Sequence, residues 1–449
     1  MSLHHTFRRF PLLPLALVMG TCLSSTVQAQ SLLELYNAAK GYDATYQSAK
    51  SQFDATLAKV DQAKAYLLPK AALALSSSRT NYESKSIPAP SSVDREFGTQ
   101  SATLSASQPL YRPADWASYE QGIKQTELAQ SQLLQAEQAL VVSVGQAYFD
   151  VLASTDNLAF VKSQKAAVAE QLASAKRNFE VGTSTITDTR EAQARYDLVV
   201  AQEIAADNDL QVKSIALKQL VGNQAANPKP LNAPVVLAEL LPADVNQWVQ
   251  QSEANHPGIK QLEVALDVAK LETSKATAGH KPTLDLVGSY AAATNNGSAS
   301  TSLNSGSNTT SIALSLNIPL FAGFSTQNRI KETLALEDKA RTDLEATKRT
   351  IAQGTRTAYF GVLSGLGQVK AYEAAEASSQ SALDATKLGY QVGVRINIDV
   401  LNSQSLLFDT KAKLAKARYD VLMGGLKLRQ ASGTLKAEDL QAINHLLAQ

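Results

Sequence analysis

The side chains best suited to chemistry lie in two short turns. Leu388-Gly389-Tyr390-Gln391-Val392-Gly393-Val394-Arg395-Ile396-Asn397-Ile398-Asp399 carries a phenol, a guanidinium and a carboxylate close together. Phe179-Glu180-Val181-Gly182-Thr183-Ser184-Thr185-Ile186-Thr187-Asp188 repeats the order of turn, glycine and acid. Val181 to Val392 and Asp188 to Asp399 both step by 211 positions, which marks a tandem duplication. Groups of these types pair by charge and hydrogen bonding. Unlike charges on equivalent turns, Asp188 on one and Arg395 with Asp399 on the other, suggest apposed ends of one assembly. Catalysis has little support. His256, His280 and His445 are not paired at ligand spacing, and Gly365-Leu366-Gly367 has no strand before it. The chain reads as a non-enzyme with no cofactor and no metal site.

Residues 1–29 have the form of a secretory signal, with Arg8 and Arg9, the apolar run Leu12 to Leu23, and Val27-Gln28-Ala29 where cleavage needs small residues. The mature chain is expected to begin near Gln30. Cys22, the single cysteine, falls inside this segment, which leaves no disulfide or thiol ligand afterwards. Lipid modification of Cys22 is the alternative, and Thr21 suits it poorly. Without Arg8 and Arg9 the 42 basic residues fall to 40 against 41 acidic ones, so no basic field for nucleic acid remains. No later apolar run reaches the roughly 18 to 20 residues of a spanning helix, so any membrane crossing must use strands.

The elements that position the turns follow from proline. There is none between Pro113 and Pro228 and none after Pro319. Pro113 suits a first helical turn, and Ala114 to Glu180 then predicts one helix on the order of 100 Å long at about 1.5 Å per residue. Ser325 to Leu388 predicts a second. Leu133, Leu140, Val144, Tyr148 and Val151 form a narrow stripe that recurs 211 positions on as Leu344, Ile351, Thr355, Tyr359 and Val362. Shorter helices are expected after each turn, over 189–220 and 401–430. Others precede each strand region, over 32–68 and 245–279, with Pro69 on Pro282 at an offset of 213. The organisation is a first repeat 30–226, a proline-rich connector 227–244 and a second repeat 245–449. The fold class is mainly α with a small β part.

Four segments switch to alternation: Ala71-Leu73-Leu75, Ala102-Leu104-Ala106, Leu284-Leu286-Gly288-Tyr290 and Ile312-Leu314-Leu316-Ile318. Each predicts a strand of about 9 to 11 residues, the length of a tilted membrane strand. Asn81 to Phe97 and Thr294 to Asn308 read as hydrophilic hairpin loops, and Tyr111, Trp116, Phe321 and Phe324 as an interfacial aromatic belt. Four strands cannot close a barrel, and an open edge is not tolerated in lipid, so several chains must contribute. Two chains would give a filled barrel of about eight strands; three would give about twelve and a pore.

The order of helix, strand pair, long helix, tip and helix, repeated behind a signal segment, resembles the TolC family of outer-membrane efflux and secretion channels. Ser107-Gln108-Pro109-Leu110-Tyr111 with Asn317 to Phe324, Ala147-Tyr148-Phe149 with Ala358-Tyr359-Phe360, and Gly389 to Asn402 carry the resemblance, together with Ala417-Arg418-Tyr419-Asp420 and Ser432-Gly433-Thr434-Leu435. It implies a homotrimer whose helices form a periplasmic tunnel continuous with a shared 12-stranded barrel in outer-membrane lipid. It implies partners too: a periplasmic adaptor (membrane fusion) protein and an inner-membrane RND or ABC transporter, which selects the exported molecule. The resemblance places a periplasmic gate on Tyr390 and Arg395 of one tip with Thr187 and Asp188 of its neighbour. It places a lumen ring at Asp399, weakened because Asn402 stands where a second acid is expected. Adaptor docking falls on Val181, Gly182, Thr183, Val392, Gly393 and Val394. By spacing alone, Asp188 and Asp399 are equally helix N-caps, which is compatible with either role. The rival function is a secreted periplasmic coiled-coil adaptor or structural rod, which has no use for four strands of membrane length.

Overall fold

The computed structural model describes residues 29–85, 92–222, 226–232 and 234–448. The segment expected to be a secretory signal, residues 1–29, lies outside the described residues as far as Gln28, Cys22 included. Helices α1 (Leu32–Tyr42) and α2 (Ala44–Lys64) open the chain, followed by a 3-10 turn at Ala65–Leu67. Strands β1 (Lys70–Lys85) and β2 (Ser92–Tyr111) lead to the long helix α3 (Pro113–Glu180), and α4 (Ile186–Val221) follows the first tip. The second repeat has α5 (Val245–Asn255), α6 (Pro257–Ala278), β3 (Thr283–Asn296), β4 (Asn304–Asn317), α7 (Ser325–Gln391) and α8 (Asn397–Ala431); α9 (Asp439–Asn444) closes it. The 68 residues of α3 and 67 of α7 fulfil the expectation of two unbroken rods.

The helices expected over 32–68 and 245–279 are each broken in two. Asp43 (φ −60°, ψ 119°) leaves the helical region, and its carboxylate accepts the Tyr46 N–H at 2.7 Å, capping α2. His256 (φ −65°, ψ 123°) does the same before Pro257, with Nδ1 accepting the Gly258 N–H at 3.0 Å. The residue before a proline avoids the helical region, which accounts for the second break. The two breaks lie 213 positions apart, the same offset that relates Pro69 to Pro282.

Half of α3, nearest the strands, packs between α2 and α6, and the tip half packs between α4 and α8. The α7 rod lies alongside α6 and then α8, so the helical wall runs α2/α4, α3, α6/α8, α7. Where the short helices change over, the stripe residues Leu140, Val144, Tyr148 and Val151 join Leu32, Leu35, Tyr36, Leu217, Leu435 and Leu440 in the largest apolar core. The connector packs on this belt. Tyr148 donates its hydroxyl to the Lys229 carbonyl at 2.8 Å, and Tyr359, its repeat counterpart, donates to the Ala243 carbonyl. Burial pushes the Tyr148 phenol well above its ordinary value, so it remains a donor.

The four strands form one antiparallel sheet in the order β1-β2-β3-β4. Leu73 pairs with Leu104 and Leu104 with Tyr290; Ala71, Ala106, Gly288 and Ile312 form another row, and Leu286 faces Leu314. Directly paired residues share a face, so leucine and isoleucine collect on one side while Ser105, Ser289 and Ser311 line the other. Ile312 is 80% exposed and Leu75 73%. The strands run to 14–20 residues, longer than expected, because pairing continues through the polar stretches to Lys85 with Ser92 and Asn296 with Asn304. Side-chain polarity reports the surrounding medium, whereas the backbone ladder is satisfied equally well in water. Residues 86–91 lie outside the described residues.

His256 yields a pH prediction. Burial lowers its pKa from the ordinary 6.5, so the neutral, capping imidazole belongs to the folded state. Its contribution is complete above about pH 6.5 and is lost as pH falls through the lowered value, up to about 1 kcal/mol for the cap. His256→Asn keeps a cap that does not titrate, and melting temperatures followed from about pH 7 to 5 are expected to fall less steeply than in the parent.

Candidate functional site

The two tips are built by the same local chemistry. Gly182 (φ +77°) and Gly393 (φ +78°) adopt the left-handed conformation at the ends of α3 and α7. Thr183 N–H reaches back to the Asn178 carbonyl and Val394 N–H to the Gly389 carbonyl, each at 2.8 Å. These are Schellman turns, which close a helix by satisfying its last carbonyls and favour glycine for its positive φ.

After the turns the repeats diverge. In the first, Thr185 caps α4 and Asp188 is the third helical residue, not the cap. Thr185 Oγ1 accepts the Asp188 N–H, while Asp188 Oδ2 accepts Thr185 N–H at 2.9 Å, Thr185 Oγ1 at 2.8 Å and Ser184 Oγ at 2.6 Å. The Ser184 hydroxyl, helped by Thr185, holds this carboxyl below the usual range. In the second, Ile396 occupies the cap position of α8 and offers no side-chain hydrogen bond. Asp399, again the third residue, is therefore left for Arg395, whose Nη1 lies 3.7 Å away. The arginine side chain stands at 60% exposure. It crosses Gly389, where an added Cβ would lie 2.8 Å from Arg395 Cγ. The first repeat has Asn178 and Ser184 at these two positions, so the glycine and the arginine go together.

Tyr390 is half-buried against Leu383, Val400 and Leu407, and its hydroxyl accepts from Asn178 Nδ2 at 3.2 Å. Among the described residues, no hydrogen bond or ion pair within the chain joins Tyr390 or Arg395 to Thr187 or Asp188. Asn402 accepts from Arg195 Nη2 at 2.8 Å, so a cation stands beside the position where a second acid was expected. Asn397, which sequence reasoning passed over, donates to the Asp188 carbonyl at 3.2 Å and accepts from Gln171. Its signal was present in the duplication, because position 186 of the first repeat is isoleucine. Val181, Val392 and Val394 are left exposed at the outermost points, the last at 79%. No cluster of metal-ligating residues occurs among the described residues.

A sheet with an apolar outer face and two open edges, continuous with rods on the order of 100 Å, defines a subunit of a transmembrane channel with a helical tunnel. The chain belongs to the outer membrane efflux protein family, whose model matches residues 35–223 and again 248–434. It is 35% identical to outer membrane protein TolC of Vibrio cholerae, over 96% of this chain and 98% of that one. It is 30% identical to the alkaline protease secretion protein AprF of Pseudomonas aeruginosa, over 92% of this chain and 87% of that one. The outer membrane protein VceC of Vibrio cholerae has the same fold, with a TM-score of 0.74 and 18% identity over 90% of this chain and 96% of that one. This protein is accordingly an outer-membrane efflux and secretion channel of the TolC family.

The unequal caps can be tested directly. Thr185→Ala removes the capping hydroxyl and is expected to loosen the first turn of α4 by about 1 kcal/mol. Ile396→Thr should rebuild the missing capping box on α8 and protect its first turn by a similar amount. Hydrogen exchange at the amides of residues 186–189 and 397–400 reads both effects.

Proposed function

We propose that three copies assemble into one conduit, passive in itself and closed at its tips. The observation that carries this reading is the pair of unpaired edges, β1 and β4, on a sheet whose exposed face is apolar. In lipid each edge must find a partner, and β1 of one copy pairing with β4 of the next satisfies all of them in a ring. About twelve strands leave an open lumen where eight would fill it. The corresponding open sides of the helical wall are α4 and α7, so a neighbour's α7 tip comes to the α4 tip.

That arrangement carries Arg395 and Tyr390 to Thr187 and Asp188 of the adjoining copy. Arg395 is exposed and makes one internal contact, to Asp399 at 3.7 Å, so other donors of its guanidinium remain to be shared with a neighbouring hydroxyl and carboxylate. Links of this exposure are worth roughly 1 kcal/mol or less each, which suits a gate that partners must open. Asp399 supplies a ring of carboxylates, with Asn402 and Arg195 making it weaker than a double acidic ring. The exposed apolar tips Val181-Gly182-Thr183 and Val392-Gly393-Val394 offer docking points for a helical hairpin of a periplasmic adaptor, which would join the channel to an inner-membrane RND or ABC transporter. The paired breaks at Asp43 and His256 support dividing the chain into repeats 30–226 and 245–449 about the connector 227–244.

In planar bilayers, Arg395→Ser and Tyr390→Phe should each raise conductance severalfold. No change in either would exclude these residues from the closure. Asp399→Asn should reduce cation preference, seen as a shift in reversal potential under a salt gradient. The assembled protein should run as a heat-dissociable trimer from outer membranes; recovery as a soluble monomer would overturn the reading.

A further inference from the structure

The outer face of the sheet changes chemistry partway along its strands. Directly paired residues share a face, so the side that carries leucine and isoleucine can be followed row by row away from the helices. It begins where Leu284 pairs with Leu316, continues through Leu286 with Leu314 and Gly288 with Ile312, then Leu73 with Leu104, and ends at Leu75 with Ala102. Successive rows on one face are two residues apart, and at about 3.4 Å per residue and a tilt of about 40° each step rises about 5 Å. The apolar band is therefore roughly 20 Å tall, close to the about 25 Å that an outer-membrane barrel presents to hydrocarbon. Ladder pairing nevertheless runs on, from Ser77 opposite Gln100 to Lys85 opposite Ser92, and no aliphatic or aromatic side chain follows on this face. The first polar rows thus stand at headgroup level, on the side of the membrane away from the helices.

One of these rows has the chemistry of an anion site. Arg79 lies opposite Gly98, whose N–H donates to Asn296 Oδ1. A Cβ added at Gly98 would lie 3.2 Å from that oxygen and 3.6 Å from Nδ2. The asparagine amide accordingly lies over the glycine on the outer face, in the same row as the arginine. Arg79 meets Glu96 of the next row through Nε, and its side chain is 78% exposed. A guanidinium has five N–H donors in a planar fork, so donors remain once Glu96 is served. Among the described residues, Arg79 is the only basic side chain on the outer face from the apolar band up to Asn81.

We propose that Arg79, with Asn296 beside it, binds the phosphorylated sugar headgroup of the glycolipid that forms the outer leaflet of an outer membrane. The proposal rests on the reading that the sheet spans that membrane with its helices on the periplasmic side. A phosphate monoester offers two or more charged oxygens to the guanidinium fork, and an amide is matched to sugar hydroxyls. The ion pair with Glu96 is exposed and weak, so a phosphate can share the arginine or replace the carboxylate. A phospholipid has a singly charged phosphodiester and no such sugar, which separates the two leaflets by chemistry. Three copies in a ring give three equivalent sites, which would fix the height of the barrel in the bilayer.

The test is equilibrium binding of lipid A to the detergent-solubilised protein, with EDTA present so that divalent cations do not bridge phosphate to carboxylate. The parent is expected to bind diphosphoryl lipid A about tenfold more tightly than dephosphorylated lipid A or phosphatidylglycerol. Arg79→Gln should abolish that preference, whereas Lys416→Gln, on α8, should leave it unchanged. A fluorophore coupled to Ile312→Cys in bilayers with brominated lipid chains reports independently whether the apolar band lies in hydrocarbon, through quenching. If the fluorophore is quenched and the parent shows no preference, or Arg79→Gln keeps it, or Lys416→Gln loses it equally, the headgroup site is refuted and the spanning sheet stands. If the fluorophore is not quenched, the spanning sheet is refuted and the headgroup site with it.

Discussion

A strand edge in lipid has no water to satisfy its N–H and C=O groups, and the rest of this structure depends on that constraint. The chain carries four strands with two open edges and an apolar outer face. Its membrane part is therefore complete only as a ring of copies. The helices inherit the geometry, since α3 follows β2 directly at Pro113 and α7 follows β4 within a few residues. At this junction Arg112, just before α3, donates twice to Asp285 of β3, at 2.8 and 2.6 Å, so the first rod is anchored to the second strand pair. The duplicated halves are joined from the sheet downward.

Duplication builds the wall, and divergence makes its two tips chemically unlike. Both tips use the same glycine-terminated turn, and both place an acid at the third position of the following helix. Where Thr185 caps the helix, the Asp188 carboxylate accepts three local hydrogen bonds from Ser184 and Thr185, and its N–H donates to Thr185 Oγ1. Where Ile396 stands instead, Asp399 is released to face Arg395. Two adjacent replacements, Ser184 by Arg395 and Thr185 by Ile396, thus convert a structural acid into an available one. Gly389 provides the space that Arg395 crosses, and Asn397 supplies a tie that Ile186 lacks.

Much of the architecture was legible because periodicity and proline survive without any knowledge of partners. The rods were readable over 114–180 and 325–388 from the absence of breakers, and the strands from alternation that only a two-faced sheet explains. Other features were not readable. The breaks at Asp43 and His256 depend on one backbone leaving the helical region within an otherwise helical pattern. The strand lengths depend on ladder pairing, which continues past the point where side chains cease to be apolar. The polar stripe Gln164-Gln171-Asn178 was visible as heptad spacing, yet without tertiary contacts it is indistinguishable from a solvated face.

The sequence by itself determined the duplication, the two long helices, the glycine turns and the presence of four half-apolar strands, since each is a local pattern with a local physical cause. The tertiary structure alone decided which polar groups meet. Arg195 reaches Asn402 across about 200 positions, and Asn397 finds Gln171 and the Asp188 carbonyl. Such pairings join residues far apart in the chain, and their partners are set by the packing of two hairpins, a relation that no stretch of sequence contains.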